Sequence, residues 1–61
     1  MNEKDYEYIK EHMDDYIFDT KQDANHFIYE YIMEKAADGN LVSNVKVKEI
    51  NNGYKIIEIA Y

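Results

Sequence analysis

Apolar residues recur at spacings of three and four through the first part of the chain. Over residues 3–18 the apolar positions fall within roughly a third of a helical circle. These positions are Tyr6, Ile9, Met13, Tyr16 and Ile17. Carboxylates occupy the opposite side, so the pattern predicts an amphipathic helix over 3–18 with a carboxylate-rich back.

A second helix is predicted over residues 21–37. Thr20 precedes Asp23 by three residues, as in a capping box with Asp in place of Glu, although Asp23 could itself be the N-cap. Gly39 lies where a C-terminal cap in the left-handed region is expected. One face carries Ala24, Phe27, Ile28, Tyr31 and Ile32, and a second stripe carries Tyr29, Met33 and Ala36. A helix that is apolar on most sides is normally buried, so we expect this helix to be central.

The remaining residues predict a β-hairpin with strands over 41–50 and 54–61, both rich in Val, Ile and Tyr. A three-residue loop at 51–53, with Gly53 in the left-handed region, pairs Val47 with Ile57 and Lys46 with Glu58. The two-residue alternative at 52–53 pairs Val47 with Glu58, so cross-strand complementarity favours the three-residue loop.

That register decides which side chains of the hairpin meet the helices. The face predicted to pack on the second helix carries Val45, Val47, Ile57, Ile59 and Tyr61. The opposite face carries Ile50, Tyr54 and Ile56 near the turn. The whole pattern predicts one small α+β domain over 1–61, with the element order ααββ.

Composition narrows the possible chemistry. There is no cysteine, and the single serine, Ser43, lacks the Gly-x-Ser-x-Gly context of a nucleophile elbow. Gly39 and Gly53 are the two glycines, so no phosphate-binding loop is present. We therefore expect no catalytic site, no enzymatic activity and no cofactor.

The two histidines are the candidate metal ligands. His26 lies three residues after Asp23 and four before Glu30, and His12 lies three before Asp15. Carboxylate–histidine pairs with this spacing bind metals in helical bundles only when several pairs converge. One chain cannot supply enough of them, so we expect both histidines to be half-exposed boundary residues and no metal to bind.

Acidic residues dominate the first two-thirds of the chain. The formal net charge is −6, with a net of −7 over residues 1–40 and +1 over 41–61. Such a surface repels nucleic acid and anionic lipid and attracts basic proteins. The sequence has neither an apolar run long enough to span a membrane nor the features of a signal peptide, so we expect a cytoplasmic protein.

Two candidate interaction surfaces follow from these patterns. The first is the acidic back of the first helix, expected to bind a basic, nucleic-acid-handling host protein: Glu3, Glu7, Tyr8, Glu11, Asp14, Asp15 and Asp19. Helical carboxylates lie about 5–6 Å apart, of the same order as neighbouring phosphates of DNA, although an ordinary solvated face would look the same. The second would form a homodimer through the hairpin edge and the second helix: Tyr29, Met33, Ala36, Ile50, Tyr54 and Ile56.

Composition also suggests a class of protein. Asn, Lys, Ile and Tyr make up 28 of the 61 residues and arginine is absent, which indicates an AT-rich genome. In size, charge and this composition the chain resembles the small acidic proteins of phages and mobile elements that block nucleic-acid machinery, including DNA mimics and anti-CRISPR proteins. The resemblance implies a non-enzymatic inhibitor or adaptor. A self-associating structural or regulatory subunit is the alternative.

Overall fold

The computed structural model describes residues 2–61 and has two helices followed by an antiparallel β-hairpin. Helix α1 spans Glu3–Glu11, α2 spans Lys21–Ala37, strand β1 spans Asn44–Ile50 and β2 spans Gly53–Ala60. The predicted α+β class and ααββ order are confirmed. The bounds predicted for the second helix are also those observed.

Both ends of α2 are capped by the residues that the sequence indicates. The Thr20 hydroxyl accepts a hydrogen bond from the Asp23 amide at 3.1 Å, so Thr20 is the N-cap. At the other end, Gly39 has a φ of 86° and Asn40 donates its amide to the Lys35 carbonyl at 2.8 Å. This is a Schellman motif, which satisfies carbonyls that the helix leaves unpaired.

Helix α1 ends seven residues earlier than predicted, at Glu11 rather than at residue 18. The next residues include Asp14 and Asp15, which are weak helix formers and are repelled by the negative end of the helix dipole. Farther on, the Phe18 amide donates to the Tyr54 carbonyl and the Tyr54 amide donates to the Phe18 carbonyl, both at 2.8 Å. This two-way bridge requires an extended backbone at Phe18, and a continued helix would prevent it.

The core lies where α1, the segment after it, α2 and the inner face of the hairpin meet. Its buried side chains are Ile9, Phe18, Ala24, Phe27, Tyr31 and Ile56. Phe27 is fully buried and contacts three aromatic rings, with centroid distances of 5.3 Å to Tyr6, 5.6 Å to Phe18 and 5.9 Å to Tyr31. The first apolar face of the second helix is therefore central, whereas Tyr29 and Met33 of the second stripe are exposed.

The predicted register of the hairpin is correct at its open end and wrong near the turn. Val45 faces Ile59 and Lys46 faces Glu58, as predicted. A β-bulge then shifts the register by one residue, so that Val47 faces Ile56 and the loop contains two residues, 51 and 52. Neither of the loops considered from the sequence is the one observed.

The bulge exchanges the environments of two neighbouring isoleucines. Ile56, predicted on the outer face, is 6% exposed and belongs to the core, whereas Ile57, predicted on the inner face, is 55% exposed. The two-strand pairing rule gave the wrong faces because it ignored the bridge to Phe18. The bridge engages the amide and the carbonyl of Tyr54, and the register shift lies farther along the hairpin, between Lys46 and Val47.

An acidic aromatic groove as the candidate functional site

A groove of about 490 Å³ runs along α1, the segment that follows it and the first two turns of α2. Aromatic rings and carboxylates line it together. The lining residues are Asp5, Tyr8, Ile9, Tyr16, Phe18, Asp19, Asp23 and His26. We call this feature the acidic aromatic groove.

The aromatic part of the groove forms because α1 ends at Glu11 and not at residue 18. The chain reverses after His12 and brings the Tyr16 ring to 6.4 Å from the Tyr8 ring in an edge-on arrangement. Tyr16 in turn lies 4.8 Å from Phe18, also edge-on. Exposure falls along this series from 58% at Tyr8 to 2% at Phe18, so the floor of the groove leads from solvent into the core.

The carboxylates come from the two helix beginnings. Asp5 and Asp23 lie in the first turns of α1 and α2, where the positive end of the helix dipole stabilises an anion. Asp19 directly precedes the N-cap of α2. Within residues 2–61, none of these three carboxylates forms an ion pair. The groove therefore presents three exposed negative charges beside its aromatic rings.

A lysine of the same chain shows how such groups hold a cation. Lys10 Nζ lies 2.9 Å from Glu34 Oε1 and 3.6 Å from Glu7 Oε1, and 5.5 Å from the centre of the Tyr6 ring. The hydrogen bond to Glu34 raises the pKa of Lys10, with burial opposing it. This contact also joins α1 to α2 across 24 residues of sequence.

Two core tyrosines are held in their neutral form. Burial, reinforced by the charge of Glu34, raises the pKa of Tyr6 to about 12. Burial and the hydrogen bond to Tyr61 raise the pKa of Tyr31 to about 12, the two hydroxyl oxygens being 2.6 Å apart. The Tyr6 hydroxyl is buried and has no hydrogen-bond partner among the residues that the structure describes.

The residues predicted to bind a partner do not form one continuous helical face, because α1 stops at Glu11. Tyr8 and Asp19 line the acidic aromatic groove. Glu3 and Glu7 line a second hollow next to Tyr6 and Met33, and Asp14 lines a third beside β2. Glu11 ends α1 and Asp15 lies in the turn after it, both exposed.

Sequence reasoning missed several lining residues of the groove. Asp5 and Asp23 were not assigned to the partner-binding surface, and Tyr16 was assigned to a helix that stops before it. The segment Tyr16-Ile17-Phe18 consists of residues with high β propensity and lies just before the N-cap Thr20. That signal could have predicted an extended segment there.

The residues predicted for self-association lie in unlike environments. Tyr29 and Met33 are 65% and 56% exposed and lie one turn apart on α2, and Ala36 is also exposed. Ile50 and Tyr54 are half-buried, and the Tyr54 backbone is occupied by Phe18. The buried Ile56 offers no side chain to a partner.

Residues 2–61 hold no group of three or more His, Cys, Asp or Glu side chains placed to bind a metal ion. No helix in the same range has the length and apolar character needed to cross a membrane. Comparison with protein-family models, curated proteins and solved structures finds no match for this chain. Its function is therefore inferred from its own surfaces.

Proposed function

We propose that this protein is a non-enzymatic binding module, a small acidic inhibitor or adaptor that docks on a basic, nucleic-acid-handling protein. The observation that supports it is the excess of unpaired negative charge. Of the 13 acidic residues, Glu7, Glu34 and Glu58 lie within ion-pair distance of a lysine in the described part of the chain, and Glu30 lies 3.7 Å from the imidazole of His26. The other nine carboxylates are left to solvent or to a partner.

These charges are concentrated where they can act together. The net of −7 over residues 1–40 falls on α1, the turn after it and α2, while the hairpin is nearly neutral. A field of one sign steers a protein of opposite charge and weakens as salt increases. A partner that normally binds phosphates would meet a carboxylate-rich surface instead, which is how a DNA mimic competes with DNA.

The experiment is a pull-down with the tagged protein from a lysate of an AT-rich bacterium at low and high salt. Each retained protein is then purified and retested alone, with duplex DNA as competitor. We expect one basic, nucleic-acid-handling protein that is released by salt and displaced by DNA. Retention that resists DNA would reject the DNA-mimic form, and the absence of any basic partner would reject the function itself.

A matched pair of variants separates local from overall charge in this assay. Glu11→Gln with Asp15→Asn removes two charges from the acidic part of the chain. Asp38→Asn with Glu49→Gln removes two exposed, unpaired charges, one from the C-terminal end of α2 and one from the hairpin. We expect the first pair to weaken partner binding more than the second, and equal weakening would mean that only the net charge matters.

Exposed apolar side chains support the second candidate, a self-associating subunit that forms a homodimer. Besides Tyr29 and Met33, Leu41 is 74% exposed and Ile57 is 55% exposed. A dimer that buries these side chains would melt at a temperature that rises with protein concentration. Tyr29→Gln with Met33→Gln should then give a monomer in sedimentation. A wild-type protein that is monomeric at all concentrations would exclude this candidate.

A further inference from the structure

We infer that the acidic aromatic groove is a receptor for one cationic side chain, lysine or arginine, that the basic partner projects into it. This inference rests on the proposed function and names its contact point. A cation is attracted to the face of an aromatic ring and to carboxylates at once, so the two kinds of lining group favour the same ligand.

The Lys10 contact is an internal precedent for this chemistry. There the chain holds an alkylammonium group between two carboxylates, with a tyrosine ring beneath it. The groove offers the same kinds of group, with Tyr8 and Tyr16 as rings and Asp19 and Asp23 among its carboxylates. No lysine within residues 2–61 lines the groove. A cation from another molecule is the complementary ligand.

The dimensions of the groove agree with such a ligand. A volume of about 490 Å³ lies within the usual range of binding pockets, roughly 300–1,000 Å³. It is far larger than one methyl or ammonium group requires, so the aliphatic stem of a long side chain fits with its charged end. The stem would lie on the apolar floor at Ile9 and Phe18 while the charge stays near the aspartates.

The test uses the full-length protein, labelled with ¹⁵N and titrated with hexalysine at neutral pH and low salt. Hexa-arginine is the second arm, and hexalysine acetylated on every side-chain amine is the uncharged arm. We expect saturable shifts at the amides of Tyr8, Tyr16 and Asp19 with the charged peptides and none with the acetylated one. The stronger of the two charged peptides identifies the preferred group, ammonium or guanidinium.

Variants at the exposed rim keep the core intact. Tyr8→Leu removes the aromatic face but keeps an apolar side chain, and we expect it to weaken hexalysine binding about 2- to 5-fold. Asp23→Asn should weaken it as well. The matched control is Asp38→Asn, which removes one charge from the far end of the same helix, about 22 Å away. It should change the affinity less than about twofold.

Two outcomes would overturn the inference. One is equal weakening by Tyr8→Leu and Asp38→Asn, and the other is a set of shifts spread evenly over all exposed carboxylates. The experiments also distinguish failure of the groove inference from failure of the proposed function. A basic partner that binds Tyr8→Leu as tightly as wild type leaves the function standing and rejects the groove. Site-specific hexalysine binding without any basic partner would support the groove and reject the proposed function.

Discussion

Replacing Gly53 with alanine should break the contact between the hairpin and the segment that contains Phe18. The φ of Gly53 is 145°, which residues with a side chain rarely adopt. A Cβ at this position would overlap the carbonyl oxygen of Phe18 and lie 3.1 Å from Cγ2 of Ile17. That carbonyl accepts the Tyr54 amide, so Gly53→Ala can be accommodated only by breaking the bridge.

The size of the effect follows from the groups involved. Two backbone hydrogen bonds contribute about 1–3 kcal/mol in total, and the positive φ costs about 1–2 kcal/mol more with a side chain present. Gly39→Ala is the matched control because Gly39 also has a positive φ, 86°, but no non-neighbouring atom of residues 2–61 lies within 4 Å of its added Cβ. Gly39→Ala should lower the free energy of unfolding only through the unfavourable positive φ, by about 1–2 kcal/mol.

Urea unfolding followed by circular dichroism measures both variants. A domain of this size is rarely more stable than about 3–5 kcal/mol, so Gly53→Ala should be largely unfolded while Gly39→Ala still folds. In Gly39→Ala the Phe18 and Tyr54 amides should still exchange slowly, because the bridge is intact there. Two variants equal within about 0.5 kcal/mol would refute the close approach of Phe18 to Gly53.

Three further predictions concern the register, the tyrosines and the helix cap. Lys48 faces Lys55 across the hairpin, so Lys48→Glu should stabilise the protein by about 0.2–1 kcal/mol in urea unfolding, and destabilisation would contradict the observed register. Because the pKa values of Tyr6 and Tyr31 are raised to about 12, the folded state keeps protons that the unfolded state loses near pH 10. Stability should therefore be full below pH 10 and fall by up to about 1.4 kcal/mol per pH unit per tyrosine between pH 10 and 12. Two of the seven tyrosines should still be protonated in the folded protein near pH 11, and a tyrosinate absorbance there that corresponds to all seven would contradict this. Thr20→Ala should cost about 1 kcal/mol in the same assay because the Asp23 amide loses its acceptor, and an unchanged midpoint would exclude Thr20 as the cap.

The second helix could be predicted from the sequence because its signals are local. Thr20 and Asp23 mark its beginning, and Gly39 marks its end. Each of these signals acts within a few residues and does not depend on what the helix packs against. The order of elements follows from similarly local periodicities.

The hairpin turn could not be predicted locally, and the end of α1 has only weak local signals, because one long-range contact involves both. Phe18 leaves the predicted helix to pair with Tyr54, 36 positions later in the chain. Periodicity places Phe18 next to the apolar arc of a helix, and pair complementarity considers β1 and β2 alone. Neither rule considers a contact with a third segment of the chain, so neither predicts the bridge, the bulge or the burial of Ile56.

The same long-range contact creates the candidate site, which links binding to the hairpin. A helix continued to residue 18 would separate Tyr8 from Tyr16 by about 12 Å along its axis, whereas their rings lie 6.4 Å apart in the folded protein. Phe18 both lines the groove and holds Tyr54. A ligand that binds only the assembled groove must therefore stabilise the bridge. At one sub-saturating concentration, hexalysine should slow hydrogen exchange at the Tyr54 amide more in wild type than in Tyr8→Leu, and equal slowing in both would show that the ligand acts elsewhere.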